Sequence, residues 1–162
     1  MSLFNRRSIL LGIAALSGCG FTPAYGPAGG AQKLQANILV DAPSDRDSYL
    51  MTQNLEERLG RAADPQLGLS YSLKLTEERM AVTANNITTR FNVVGKATYA
   101  LRDLDSGAVL TTGTVDSFTG YSADSTTVAT LSAGRDARER LLAILADQIT
   151  TRLIAVAPDL PI

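Results

Sequence analysis

Cys19 is the only cysteine in the 162-residue chain, and histidine is absent. Without histidine there is no Ser-His or Cys-His relay and no imidazole ligand, so no catalytic set, metal site or cofactor is expected. A lone thiol forms no internal disulfide. Cys19 directly follows Leu16-Ser17-Gly18, a pattern in which small residues let the chain enter a peptidase site once the thiol has been acylated. Cys19 is therefore expected to carry lipid. The paired acids Glu56-Glu57 and Glu77-Glu78 have the chemistry for acid-base hydrolysis of a glycoside, but neighbours on a helix or strand point apart and no cleft is implied around them. They read as solvated faces, and no GxxxxGK phosphate loop is present.

The cysteine is positioned by what precedes it. Met1–Arg7 ends in Arg6-Arg7, and Ser8–Leu16 is an apolar run, giving the three-part shape of an export signal over residues 1–18. The run is about half the roughly 20 residues needed to span hydrocarbon, which speaks against a permanent transmembrane anchor. The Arg pair leaves twin-arginine and general export both open. Gly20–Ala31 holds two prolines and four glycines and reads as an extended tether, so residues 19–32 form lipidated Cys plus tether and 33–162 a single domain. Phe21 and Tyr25 stand out in that tether as rings able to dock or to sit at headgroup level.

Alternation predicts a first strand over Leu34–Asp41, with Leu34, Ala36, Ile38 and Val40 on one face. A helix follows: Ser44 with Asp47 resembles a capping box, Met51, Leu55, Leu59 and Ala62 form a stripe, and Asp64-Pro65 ends it. Leu69, Tyr71, Leu73 and Leu75 alternate with polar residues, as do Phe91, Val93, Ala97, Tyr99 and Leu101. Leu104-Asp105-Ser106-Gly107 is a hairpin turn leading to a last strand over Val109–Phe118. Gly120–Gly134 reads as a surface loop. The residues Leu141, Leu142, Leu145, Ile149, Leu153 and Val156 then stripe a second helix over Asp136–Val156. The order β-α-β-β-β-α predicts an α+β fold in which two helices cover one face of a four-stranded sheet and leave the other polar. Lys74, Arg90, Lys96 and Arg102 fall on the non-core side of their strands, so a basic surface facing a phosphorylated lipid is geometrically possible, beside the plainer reading of scattered solubilising charges.

Composition sets the outer limits. A hydrophobic content of 45% over 162 residues supports one compact core. Net charge is -1, and removing residues 1–18, which hold Arg6 and Arg7 and no acid, takes it to -3. That is no footprint for nucleic acid.

The run Leu16-Ser17-Gly18-Cys19-Gly20-Phe21-Thr22-Pro23-Ala24-Tyr25-Gly26 resembles the lipobox and following segment of alphaproteobacterial LptE, the lipopolysaccharide-assembly lipoproteins, whose members commonly begin CGFxPxYG. The order of elements is similar along the whole mature chain. The resemblance implies a non-enzymatic lipoprotein on the periplasmic side of the outer membrane. It also implies a domain seated as a plug in the lumen of an LptD-like barrel, binding lipopolysaccharide and aiding its delivery to the outer leaflet. Gly20, rather than Asp, after the cysteine is compatible with that membrane. Two other classes stay open: an auxiliary lipoprotein of an ABC-type lipid transport system, and a cell-wall hydrolase, which the missing histidine disfavours.

Overall fold

The computed structural model describes residues 26, 29–82, 88–123 and 126–161. Cys19, the expected export signal over residues 1–18, Phe21 and Tyr25 lie outside them. The element order is α1 (Gly30–Leu34), β1 (Ile38–Val40), α2 (Arg46–Leu59), β2 (Leu67–Val82), β3 (Thr88–Asp103), β4 (Val109–Ser122), α3 (Thr127–Val156) and a 3-10 turn (Ala157–Asp159). The strands form a sheet in the order β1-β2-β3-β4, with β1 parallel to β2 and the remaining pairs antiparallel. The fold is α+β, with the two longer helices on one face of a mixed sheet.

Period-two alternation turns Leu67, Leu69, Val93, Ala97, Leu101 and Val115 to the covered face, where all are buried. Helix α2 adds Met51, Leu55 and Leu59, and α3 adds Leu141, Leu142, Leu145, Ile149 and Leu153. Each fully buried Leu or Ile side chain contributes about 1.5–3 kcal/mol relative to an exposed one, so these residues hold the helices to the sheet. Gly95 lets α3 come close: a Cβ there would lie 2.9 Å from Leu141 Cδ2 and 3.0 Å from Leu145 Cδ1. By length and composition α3 and its 3-10 extension, Thr127–Asp159, could cross a membrane. Its burial on a single stripe against the sheet instead identifies the core helix of this domain.

Five sequence expectations are corrected. The first strand covers only Ile38–Val40. Leu34 reaches the core from α1 instead, and Ala36 reverses the chain at φ 55°, its N–H donating to the Leu59 carbonyl at 2.8 Å. A left-handed residue between two periodic segments breaks the strand that alternation alone implies. Gly30 and Ala31 are likewise helical and buried rather than extended tether. The cap of α2 is Asp45, not Ser44: its carboxylate accepts from the Ser48 N–H at 2.8 Å while Ser48 Oγ accepts from the Asp45 N–H at 2.9 Å. The helix stops at Gly60, before Ala62 and Asp64-Pro65.

The fifth correction concerns Gly120–Gly134. Strand β4 continues to Ser122, and α3 begins at Thr127, whose preceding residue Thr126 caps it. The Ser/Thr/Gly-rich composition points to a loop because these residues favour turns over helix interiors. Tertiary contact overrides that preference: Thr119 Oγ1 donates to the Ala137 carbonyl at 2.7 Å, and Gly134 lies under the Tyr121 ring. The turn at Leu104–Gly107 is as expected, with Gly107 at φ 72°.

Candidate open-face site

The face of the sheet turned away from the helices carries the even-numbered residues of β2, β3 and β4. Cross-strand register arranges them in rows. Ser70 is opposite Ala100, and Ala100 opposite Thr112; Ser72, Thr98 and Thr114 form the next row, in which the Thr98 and Thr114 hydroxyls are 3.2 Å apart. Lys74, Lys96 and Asp116 follow, and then Thr76, Val94 and Phe118. Small hydroxyl side chains thus give way, along the strands, to a charged row and then to an apolar one. Phe118 is 64% exposed.

Lys74 and Lys96 are directly opposed and both exposed. Opposed residues in an antiparallel pair have Cβ atoms about 4.5–5.5 Å apart, and like charges there repel. The row gains one acid, Asp116, beside Lys96. Such a lysine pair suits an anion that accepts from both ammonium groups, because the ligand then removes a repulsion already built into the free protein.

The other two basic residues are elsewhere. Arg102 is six residues from Lys96 along β3, about 20 Å at strand rise. It is engaged by Asp41, with Nη1 donating to Oδ2 at 3.2 Å and Nη2 to Oδ1. That hydrogen bond raises the guanidinium pKa further, and the ion pair staples the edge of β1 to β3. Arg90 lies a similar distance the other way, exposed near the β2–β3 tip and opposite Ser122. The four residues therefore divide into one close pair and two distant singles. Asp116 and Phe118 were not singled out from sequence, although alternation in β4 puts both on this face; only register places them beside Lys96 and Val94.

The paired acids do not converge. Glu56 is bonded by Arg61 at 2.7 Å, and Glu77 lies 3.7 Å from Arg138 on the covered side, opposite in direction to Glu78. Tyr71 closes the other end of α2: its hydroxyl donates to the Ser48 carbonyl at 2.7 Å and contacts Thr52 Oγ1 at 2.7 Å. Burial raises its pKa.

The model of the LptE lipopolysaccharide-assembly family matches residues 32–153. The chain belongs to the LptE family. No curated protein matches it closely enough to serve as a relative. Among solved structures, it is similar to a lipoprotein from Caulobacter crescentus, at 24% identity and TM-score 0.65 over 79% of this chain and 96% of that one. It is also similar to rare lipoprotein B from Shewanella oneidensis, at 11% identity and TM-score 0.59 over 76% and 96% of the two chains. A minor lipoprotein from Acinetobacter baumannii aligns at 19% identity and TM-score 0.51 over 76% and 91%. At these identities the likeness is one of fold. Membership in the LptE family identifies a lipopolysaccharide-assembly lipoprotein, in a family that is not enzymatic.

Proposed function

We propose that this LptE-family chain is acylated on Cys19, resides on the periplasmic side of the outer membrane and forms a one-to-one complex with an LptD-like barrel. There it acts as a plug that binds lipopolysaccharide and aids its passage to the outer leaflet. The family match over residues 32–153 carries this reading. The polar open face supports it, since a plug in a water-filled lumen needs a broad, wet contact surface. Lys74 and Lys96 are the pair best placed to meet a lipid phosphate.

The packing of α1 adds a direction to the picture. Gly30 sits against the far end of α3, where a Cβ would lie 2.8 Å from Ala157 Cβ and 2.9 Å from Pro158 Cδ. The N-terminal segment therefore enters the domain at the pole formed by the end of α3, opposite the β2–β3 tip. A 30-residue helix is about 45 Å long, so the tip would stand roughly that far from the point of entry. The tether of Gly20–Gly29 could add at most about 35 Å of reach.

Co-purification of a tagged full-length chain from detergent-solubilised outer membranes tests the proposal. A barrel protein recovered in equimolar amount is the expected result. Recovery of an inner-membrane transporter with no barrel would overturn it in favour of an auxiliary lipoprotein of lipid export.

A further inference from the structure

Strand β4 is the outer strand of the sheet, paired with β3 on one side only. Its 14 residues, VLTTGTVDSFTGYS, include no proline and a single charge, Asp116. Natural edge strands are usually short, or interrupted by proline, lysine or a bulge, because their unpaired peptide groups template strand addition. Here a register shift interrupts only the start of the strand, opposite Leu101/Arg102, and one further device guards its middle. Arg152 of α3 donates through Nη1 to the Thr114 carbonyl at 2.6 Å. That contact also fixes parity: Thr114 turns its peptide groups outward, and so do the alternating residues Asp116, Phe118, Gly120 and Ser122. An independent check comes from the other side of the sheet, where the Leu69 carbonyl of β2 turns away from β3 to accept from the Asp41 N–H, just past β1, at 2.9 Å. Carried through the registers Leu69↔Leu101 and Leu101↔Thr111, this gives the same parity for β4. Beyond Thr114, therefore, the strand presents a run of outward N–H and C=O groups with no strand beside them among the described residues, and its most exposed apolar side chain, Phe118, sits in the middle.

We infer that the free lipoprotein associates with a second copy of itself through this half of β4, antiparallel about a two-fold axis at Phe118. The occupant follows from the strand's own pattern. In that register Phe118 faces the second copy's Phe118, covering both exposed rings with a cross-strand aromatic pair. Asp116 faces the second copy's Gly120, so the one charge in the strand meets no like charge. The two Asp116 residues lie four positions apart along the strands, about 14 Å, beyond the screening length of about 8 Å at physiological salt. An isologous contact of this kind closes on itself and makes a dimer rather than a fibre. It is small, below about 1,200 Å² in total, which places it in the weak class. The inference does not depend on the barrel partnership.

The test uses the mature lipoprotein purified free in detergent. Light scattering follows its mass from about 1 to 200 μM, the range suited to a weak interface, and amide exchange is measured at both ends. The mass should double, while the amides of Asp116, Phe118 and Gly120 become protected in step. Phe118→Lys, at an exposed position, should weaken association at least tenfold at an unchanged melting temperature. A monomer throughout, a dimer with those amides unprotected, or a Phe118→Lys protein that associates as well as the native one would each overturn the inference. The exchange measurement on the native protein decides the matter even if the variant folds poorly.

Discussion

Lys74→Glu should stabilise the domain and, on the proposed role of the lysine pair, weaken lipopolysaccharide binding at the same time. Lys74 and Lys96 are directly opposed on the open face, and Asp116 flanks Lys96 on the other side. Replacing Lys74 by Glu converts a like-charge neighbour into an opposite one and makes the row alternate in sign. Two unit charges about 6 Å apart in water repel by roughly 0.7 kcal/mol, and inverting one changes the balance by about twice that. Screening over a Debye length of about 8 Å halves the figure, leaving a gain of about 0.7 kcal/mol. For a domain of this size that is a rise in melting temperature of roughly 2–4 °C. Binding moves the other way: losing one charge-assisted contact to a phosphate costs about 1.5–3 kcal/mol, roughly 10- to 100-fold in affinity. Lys74→Gln should give about half the stability gain and most of the binding loss. Thermal unfolding and titration with purified lipopolysaccharide read the two effects separately. A fall in melting temperature would refute the like-charge argument, and unchanged affinity would remove the lysine pair from the ligand site.

Two further outcomes test the packing beneath this face. Gly113→Ala places a methyl 2.5 Å from Tyr99 Oη and 2.6 Å from Cζ; because the Tyr99 ring is buried, overpacking should cost about 1–3 kcal/mol in urea unfolding, and adding Tyr99→Leu should recover part of it. Asp45→Ala removes the capping box of α2 and should lower the melting temperature at neutral pH. The Asp45 carboxyl is held below its ordinary value of 3.8, mainly by accepting from the Ser48 N–H and then from its hydroxyl. The native cap is thus fully stabilising above that ordinary value and is lost as pH falls through the lower folded-state value. The gap between native and variant proteins should close at strongly acid pH, and a gap that persists there would show that the cap does not act through its charge.

Much of the architecture was legible in linear order. Alternation in Leu67–Leu75, Phe91–Leu101 and Val109–Phe118, and the stripes Met51-Leu55-Leu59 and Leu141-Leu145-Ile149, each record which side of an element faces the core. That information is local, because strand and helix periods are properties of a few consecutive residues. The same alternation put Lys74, Arg90, Lys96 and Arg102 outside the core. Family kinship was legible too, carried by the segment around Cys19 and extended by the match over residues 32–153.

Other features depended on distant parts of the chain. Alternation states a residue's face but not its neighbour, since register is set by the turn at Leu104–Gly107 and by the irregularities at Arg79/Ala81 and Leu101/Arg102. Tertiary structure alone therefore opposed Lys74 to Lys96, gave Arg102 to Asp41, and put Asp116 and Phe118 beside the pair. The first strand shortened because Ala36 turns back toward Leu59, a contact no window around Ala36 contains. Helix α3 reached Thr127 because Tyr121 and Thr119 grip its first turns. Sequence determined which residues are inward and which are wet; the folded chain decided which wet residues stand together, because cross-strand and helix–sheet neighbours are chosen by closure of the whole domain rather than by local period.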